Sequence, residues 1–423
     1  MSPKSRSVRL TLLCTAVAGV LVAAAVGCQT YDFEPVEPLA ISQQTKTQDL
    51  DAKGLKANLY LVVDKSGSMN GPTDPSLAAC KLSDGGTCGP TSLPTVACDP
   101  TVCPTRWSDL SSAMHGFLTT SGTLARMGLT LYPASGGNLC GRVADGGSLL
   151  QVDVAPNDSN DDEASLTATA QAIDTVLQGV VPKNGTPTSE ALAFADQTLG
   201  PIYSKDRDTY ILLLTDGLPN CNPDVDQSTC VCTEVQSVCQ SYPTGDICLD
   251  QDGTVGTISG LAEKGTRTIV LGFGADTASG DGPAVLTAMA NAGGYIKRCP
   301  DHTDAECGSG DTCDVATELC NKPYFQASSG ADLAAALSAI AASIPKGDQC
   351  FFEITEMPSD PSVMSVIVNG TETPSGPDTW SLEPDHPVDH KHGIEFQGAM
   401  CDAIKASNSS DPYKVSVQTV KSL

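Results

Sequence analysis

Short apolar runs alternate with segments of helical periodicity between residues 57 and 345, and this alternation limits the possible folds more than any other feature of the sequence. The runs that suit strands buried on both faces are 59–63, 127–132, 210–214 and 268–273. Helical spacing relates Trp107, Leu110, Met114 and Phe117; Leu166, Ala170, Ile173 and Leu177; and Leu333, Leu337, Ile340 and Ile344. The alternation predicts an α/β domain with a doubly wound, mostly parallel sheet and helices on both faces. In such sheets ligands bind beyond the carboxyl ends of the strands.

The cysteine content indicates an oxidising compartment. The chain has 18 cysteines in 423 residues, far more than reduced cytosolic proteins usually carry. Apart from Cys14 and Cys28 near the N-terminus, they fall into groups of even size: Cys80, Cys88, Cys98 and Cys103; Cys140, Cys221, Cys230, Cys232, Cys239 and Cys248; Cys299, Cys307, Cys313 and Cys320; Cys350 and Cys401. We therefore expect disulfides within each group, with the connectivity inside the larger groups left open. Zinc is not expected, because no two cysteines are separated by two residues.

The N-terminus supports export. Basic residues precede an apolar run over 10–26, which is typical of a signal peptide. The run ends in Ala25-Val26-Gly27-Cys28, which resembles the lipobox of bacterial lipoproteins. We expect residues 1–27 to be removed and Cys28 to be lipidated, although Ala23-Ala24-Ala25 could serve as an ordinary cleavage site. Gln29 after the cysteine resembles the class sorted to the outer membrane.

Charge and composition exclude several classes of partner. The chain has 50 acidic and 24 basic residues and a formal charge of −26, which argues against binding nucleic acid or anionic lipid. Contact with the membrane is expected only through the lipid at Cys28. The polar segment 28–56 is predicted to be a flexible tether between that anchor and the globular part.

A possible metal-binding loop follows the first predicted strand. In Asp64-Lys65-Ser66-Gly67-Ser68, one carboxylate and two hydroxyls can converge in a tight turn. These are hard oxygen donors of the kind that Mg²⁺ or Mn²⁺ prefers. A serine-rich turn without metal is the alternative for so short a motif.

Two further segments are expected at the same edge of the sheet. Gly185-Thr186-Pro187-Thr188 precedes a predicted helix, and Thr215-Asp216-Gly217 ends the third predicted strand. The three motifs in this order resemble the von Willebrand factor type A (VWA) domain and its metal-ion-dependent adhesion site. The resemblance covers residues 57–345 and implies the ligand set Asp64, Ser66, Ser68, Thr186 and Asp216.

The resemblance also implies a function. A divalent cation, Mg²⁺ with Mn²⁺ or Ca²⁺ as alternatives, would be bound directly by the two serines. Thr186 and Asp216 would exchange direct and water-mediated contact. An open coordination position would then accept an exposed Asp or Glu of a protein partner, with no bond broken. The resemblance therefore implies an envelope-anchored adhesion or protein-binding module, and not an enzyme.

Three cysteine-rich insertions depart from the simplest VWA pattern, at about 70–105, 218–249 and 299–320. The first two flank the metal motifs and are interpreted as a stapled rim that shapes or covers the site, with purely decorative loops as the alternative. Gly272-Phe273-Gly274 follows a strand, but Thr277 stands where a dinucleotide fingerprint needs glycine and no helix is predicted there.

Residues 350–423 are predicted to form a small β-rich domain, with a hairpin turn at Asn369-Gly370 and a Cys350–Cys401 disulfide. His386, His390 and His392 are clustered in this region. A solvated turn is the favoured interpretation, with Zn²⁺ or Cu²⁺ binding as the alternative.

A competing hypothesis for the whole chain is a structural envelope scaffold. In that case the metal only stabilises the fold, and partner contacts lie on the C-terminal domain or the cysteine-rich loops. An enzyme is disfavoured because no Ser-His-Asp order, nucleophile elbow or H-E-x-x-H motif occurs.

Overall fold

The computed structural model describes residues 43–52, 56–90, 95–136, 140–154, 162–200, 207–233, 244–344, 350–355, 357–358, 364–385, 392–407 and 413–422. The predicted signal peptide, Cys28 and most of the predicted tether lie outside these residues. Within the described part of the chain, no helix is both long enough and apolar enough to cross a membrane.

The regular elements of the described residues are as follows. The strands are β1 (Gln43–Ala52), β2 (Asn58–Asp64), β3 (Arg126–Ser135), β4 (Ser148–Val152), β5 (Thr209–Thr215), β6 (Thr266–Phe273), β7 (Cys313–Asp314), β8 (Leu319–Cys320), β9 (Phe325–Ala327), β10 (Phe351–Glu353), β11 (Met364–Val368), β12 (Thr371–Glu372), β13 (Trp380–Glu383), β14 (Gly393–Phe396) and β15 (Tyr413–Ser422). The helices are α1 (Arg106–Ser121), α2 (Glu163–Gln178), α3 (Thr188–Leu199), α4 (Gln251–Glu263), α5 (Ala275–Ala278), α6 (Gly282–Ala292), α7 (Asp304–Cys307), α8 (Gly330–Ser343) and α9 (Gly398–Ala406).

The main sheet has six strands in the order β4-β3-β2-β5-β6-β9. All neighbours are parallel except the edge strand β4, which is antiparallel to β3. The chain therefore starts in the middle of the sheet at β2 and winds outwards in both directions. The point where it changes direction lies between β2 and β5, which is where ligands bind in sheets of this kind.

Helices cover both faces of the sheet because alternate residues of each strand point to opposite sides. On β2, Leu59, Leu61 and Val63 pack into one core with α1, α2 and α8. Tyr60 and Val62 pack into a second core with α3, α4 and α6. All seven residues of β2 are buried, as are those of β5, which explains why both strands read as continuous apolar runs.

The predicted fold class is confirmed, and each of the four predicted strands lies within an observed one. Two local expectations are wrong. Gln43–Ala52, predicted as tether, forms β1, a polar strand that gains its structure by pairing with β15. A four-residue helix, α5, begins directly after Gly274, where none was expected.

The disulfides form within the groups expected from sequence. The described pairs are Cys80–Cys103, Cys88–Cys98, Cys140–Cys221, Cys230–Cys248, Cys299–Cys313, Cys307–Cys320 and Cys350–Cys401. Cys232 is also disulfide-bonded, and Cys239 lies outside the described residues. So many disulfides are consistent with folding in an oxidising compartment.

The C-terminal part is β-rich, as predicted, and its described residues contain antiparallel sheets and the helix α9. One sheet has the order β10-β14-β13, and the other has the order β1-β15-β11-β12. By contacts the chain divides into two compact units. Of the described residues, one unit comprises 43–46, Pro358, Met364 and 418–422, and the other comprises those between Thr47 and Met357 and between Ser365 and Val417. The domain boundaries proposed from sequence stay predictions.

Candidate metal centre

The two central strands bring the first and third motifs side by side. β2 and β5 are parallel neighbours, with Val63 opposite Leu214. Asp64 is the last residue of β2 and Thr215 the last of β5, so both motifs begin at the same edge of the sheet. The Thr215 hydroxyl donates a hydrogen bond of 2.7 Å to Asp64 Oδ2, which fixes the orientation of this buried carboxylate.

The loop after β2 turns its hydroxyls towards Asp216. Ser66 N donates to Asp64 Oδ1 at 2.8 Å, and a 3₁₀ turn over Gly67–Asn70 carries Ser68 back over the strand end. Ser66 Oγ and Ser68 Oγ are 2.9 Å apart. Ser68 Oγ donates to Asp216 Oδ1 at 2.8 Å, and Ser66 Oγ lies 3.5 Å from the same oxygen. Ser66, Ser68 and Asp216 thus form one cluster of oxygen atoms, and a fourth predicted ligand, Asp64, is joined to it through the backbone of Ser66.

The fifth predicted ligand, Thr186, reaches the same edge through its loop. Gly67 N donates to Asn184 O at 2.8 Å, and Lys183 N donates to Lys65 O at 2.9 Å, so the two loops are joined by their backbones. Thr186 is buried, and its backbone N–H donates to Asn220 Oδ1 at 2.8 Å. Its loop is therefore held between the Ser66 loop and the segment after Asp216.

Burial makes this cluster electrostatically costly. Asp64 and Asp216 both have 0% exposure. Burial, with repulsion from Asp216 as the second cause, raises the pKa of Asp64 to about 7. Burial also raises the pKa of Asp216, although the charge and hydrogen bond of Arg106 act in the opposite direction. A cation between the two carboxylates would offset both costs.

The donor set fits a hard divalent cation. The hydroxyls of Ser66 and Ser68 lie within hydrogen-bonding distance of each other and of the buried Asp216. The buried Asp64 accepts from the backbone of the same loop, and each of these groups is an oxygen ligand of the type that Mg²⁺ and Mn²⁺ prefer. Two other clusters of potential ligands occur among the described residues, Cys88, Cys98 and Cys103, and Cys299, Cys307 and Cys320. Their sulfurs are committed to disulfides, so neither offers a thiolate.

Sequence reasoning missed three residues that support the cluster. Thr215 orients Asp64, and Asn220 orients the Thr186 loop. The third is Arg106, whose Nη1 donates to Asp216 Oδ2 at 2.8 Å. Thr215 belongs to the Thr215-Asp216-Gly217 motif, and Asn220 is close to that motif in sequence, so the sequence contains a weak indication that both residues lie near the site. Nothing local linked Arg106 to the site.

Cysteine-rich segments are tied to this edge of the sheet. The disulfide Cys140–Cys221 joins the segment after β3 to the segment after Asp216. The first insertion contains the Cys80–Cys103 disulfide. The base of this insertion is closed by a hydrogen bond of 2.9 Å from Arg106 N to Gly71 O. The first and second insertions therefore border the proposed metal site.

Two other predicted sites lie largely outside the described residues. Cys28, the predicted lipidation site, is among the residues not described, as are His386 and His390. His392 is described, and its carbonyl accepts from Ile354 N at 3.2 Å. Lipidation and metal binding by the histidine cluster stay predictions.

Comparisons with known proteins find similarity in structure only. No protein-family model matches the sequence, and no curated protein matches it. The pilus adhesin SpaC from Lactobacillus rhamnosus GG is 16% identical with a TM-score of 0.41, and the match covers 90% of this chain and 41% of SpaC. The manganese-loaded TRAP protein of Plasmodium vivax is 13% identical with a TM-score of 0.29, covering 55% of this chain and 62% of that one. The VWA domain of SpRpn10 is 8% identical with a TM-score of 0.31, and the match covers 57% of this chain and 84% of that domain's chain.

The chain thus spans less than half the length of the SpaC structure. At such low identity, what these proteins bind is not carried over to this chain. Its site is defined by its own side chains.

Proposed function

We propose that this chain is an exported, envelope-anchored protein-binding module that captures an acidic residue of a partner through a divalent cation. The ligands are Asp64, Ser66, Ser68, Thr186 and Asp216. The observation that carries the proposal is the approach of Ser68 Oγ to Asp216 Oδ1 at 2.8 Å, because it joins two motifs that are 148 residues apart in the chain.

The chemistry of the site favours binding over catalysis. Its groups are carboxylates and hydroxyls arranged around one point, and a cation there would supply a Lewis-acidic position for an anionic ligand. The residues of this chain would hold and orient that cation: Thr215 fixes Asp64, and the backbone of the Ser66 loop carries both serines. A carboxylate is the side chain whose charge and hard oxygens best match such a position.

Export and anchoring are part of the same proposal. The signal-like N-terminus and the lipobox-like sequence before Cys28 support an outer-membrane lipoprotein, and the disulfides support folding outside the cytosol. The rim of stapled loops would restrict which partners reach the cation.

The test is capture of envelope proteins with and without chelation. Immobilised wild-type protein should retain a partner from envelope extract in Mg²⁺ or Mn²⁺ and release it in EDTA. Ser68→Ala should lose capture, because it removes a predicted ligand. Ser338→Ala is the control for capture, since the exposed Ser338 hydroxyl donates to Ala334 O at 2.9 Å on α8, outside the predicted ligands and the cysteine-rich insertions. Capture that survives EDTA would contradict the proposal.

A further inference from the structure

The guanidinium group of Arg106 places a positive charge beside the proposed metal centre. Its Nη1 donates to Asp216 Oδ2 at 2.8 Å and also lies 2.9 Å from Asp276 Oδ2. The Arg106 side chain is only 12% exposed, whereas Asp276 is 61% exposed. The pair with Asp216 is therefore the less hydrated of the two, and Asp276 contributes through a more screened interaction.

The position of Arg106 is not explained by its helix. It is the first residue of α1, where the helix dipole favours negative charge and opposes a cation. Its backbone is tied to the metal side of the sheet through Gly71. The neighbouring backbone also makes room for the guanidinium: Gly274 has φ +99°, and a Cβ there would lie 3.0 Å from Arg106 Nε. Gly274 thus accommodates this arginine.

Asp216 divides its two oxygens between different partners. Oδ1 faces the serine hydroxyls of the proposed metal centre, and Oδ2 faces Arg106. Two carboxylates would balance the charge of one divalent cation. Arg106 neutralises the buried Asp216 in part, whereas the exposed Asp276 offsets the charge of Arg106 only through a solvent-screened contact. The cation is therefore left with an excess of positive charge, which a further anionic group can balance.

We propose that Arg106 is a positioning residue that sets the charge of the metal centre. It orients Asp216 with Oδ1 towards the serines, and its positive charge lowers the affinity of the five protein ligands for the cation. The cation therefore depends on an external carboxylate for full neutralisation. This inference rests on the proposed function, because it requires the divalent cation.

The test is calorimetric titration of Mn²⁺ alone into metal-free protein. Arg106→Gln removes the charge and leaves a shorter, neutral N–H donor at this position, so we expect it to bind Mn²⁺ at least about tenfold more tightly than wild type. Arg106→Lys keeps the charge and should stay within about threefold of wild type. A merely structural role for Arg106 predicts the opposite, since a lost supporting contact usually weakens metal binding about 10- to 100-fold.

Thermal melts in EDTA give a second readout. Metal-free Arg106→Gln should melt below wild type, because Asp216 loses its charged partner, and Mn²⁺ should raise its melting temperature more than that of wild type. Asp276→Asn provides an independent test of how the charge of Arg106 affects Mn²⁺ affinity. It frees Arg106 from its second carboxylate, so Mn²⁺ binding should become weaker.

The outcomes separate the two proposals. If wild type binds no Mn²⁺, the proposed function fails. If wild type binds Mn²⁺ but Arg106→Gln binds it equally or less tightly, only the role of Arg106 is overturned. If Arg106→Gln does not fold, Asp276→Asn decides: weaker Mn²⁺ binding supports the inference, and equal or tighter binding contradicts it.

Discussion

Removing the hydroxyl of Thr215 tests the metal centre without altering any predicted ligand. Thr215→Val nearly preserves shape and deletes the 2.7 Å bond to Asp64 Oδ2, together with the longer contacts of this hydroxyl with Gly217 O at 3.1 Å and Gly217 N at 3.3 Å. Ser66 N remains as the donor to the other oxygen of Asp64. A hydrogen bond to a charged group contributes about 1.5–3 kcal/mol, so the metal-free protein should be destabilised by about this amount when Asp64 is ionised. Loss of a contact that orients a metal ligand should also weaken Mn²⁺ binding about 10- to 100-fold. Urea unfolding in EDTA measures the first effect, and calorimetric titration measures the second.

Thr209→Val is the matched control on the same strand. Thr209 is equally buried at the opposite end of β5, where its hydroxyl accepts a 3.1 Å bond from Asn58 Nδ2. This variant should lose about 0.5–1.5 kcal/mol of stability, plus the cost of leaving Asn58 unsatisfied, and bind Mn²⁺ like wild type. If Thr215→Val binds Mn²⁺ as tightly as Thr209→Val does, Asp64 is not oriented for metal by Thr215 and the reasoning is refuted.

Three other predictions follow from the same geometry. Gly185→Ala should weaken Mn²⁺ binding, because its Cβ would lie 2.5 Å from Cys221 Sγ and displace the Thr186 loop, whereas Gly200→Ala has open space and should match wild type in the same titration. Replacing Cys140 and Cys221 by serine should cost about 4.5 kcal/mol in urea unfolding, from the entropy of the opened loop, and unchanged stability would contradict this. The pKa of Asp64 is about 7 in the fold and about 3.9 when unfolded, so metal-free protein binds more protons than the unfolded chain between these values. Its stability should therefore fall as the pH rises from about 4 to about 7, and melts of Asp64→Asn in EDTA that show the same slope would count against this cause.

Much of the fold was predictable because the signal is local. A strand buried on both faces must be a continuous apolar run, and β2 and β5 are such runs. The positions of Asp64 and Asp216 followed directly, since Asp64 is the last residue of β2 and Asp216 directly follows β5. The parallel register then brings the strand ends together.

The parts that could not be predicted depend on contacts between distant residues. Arg106 meets Asp216 across 110 residues, and an arginine at the start of a helix carries no sign of its partner. β1 is polar and gains its structure from β15, so its sequence resembled a linker. The pairing within each cysteine group likewise depends on loop paths that spacing alone does not define.

The central claim is that Asp64, Ser66, Ser68, Thr186 and Asp216 hold one divalent cation. The most direct measurement is calorimetric titration of Mn²⁺ into metal-free wild type and Ser68→Ala, with Ser76→Ala as control, since the exposed Ser76 hydroxyl also donates to an aspartate, Asp74, at 2.6 Å. Saturable binding at a single site in wild type and Ser76→Ala, lost or strongly weakened in Ser68→Ala, is the predicted result. No saturable binding in wild type, or equal affinity in all three proteins, would contradict the account.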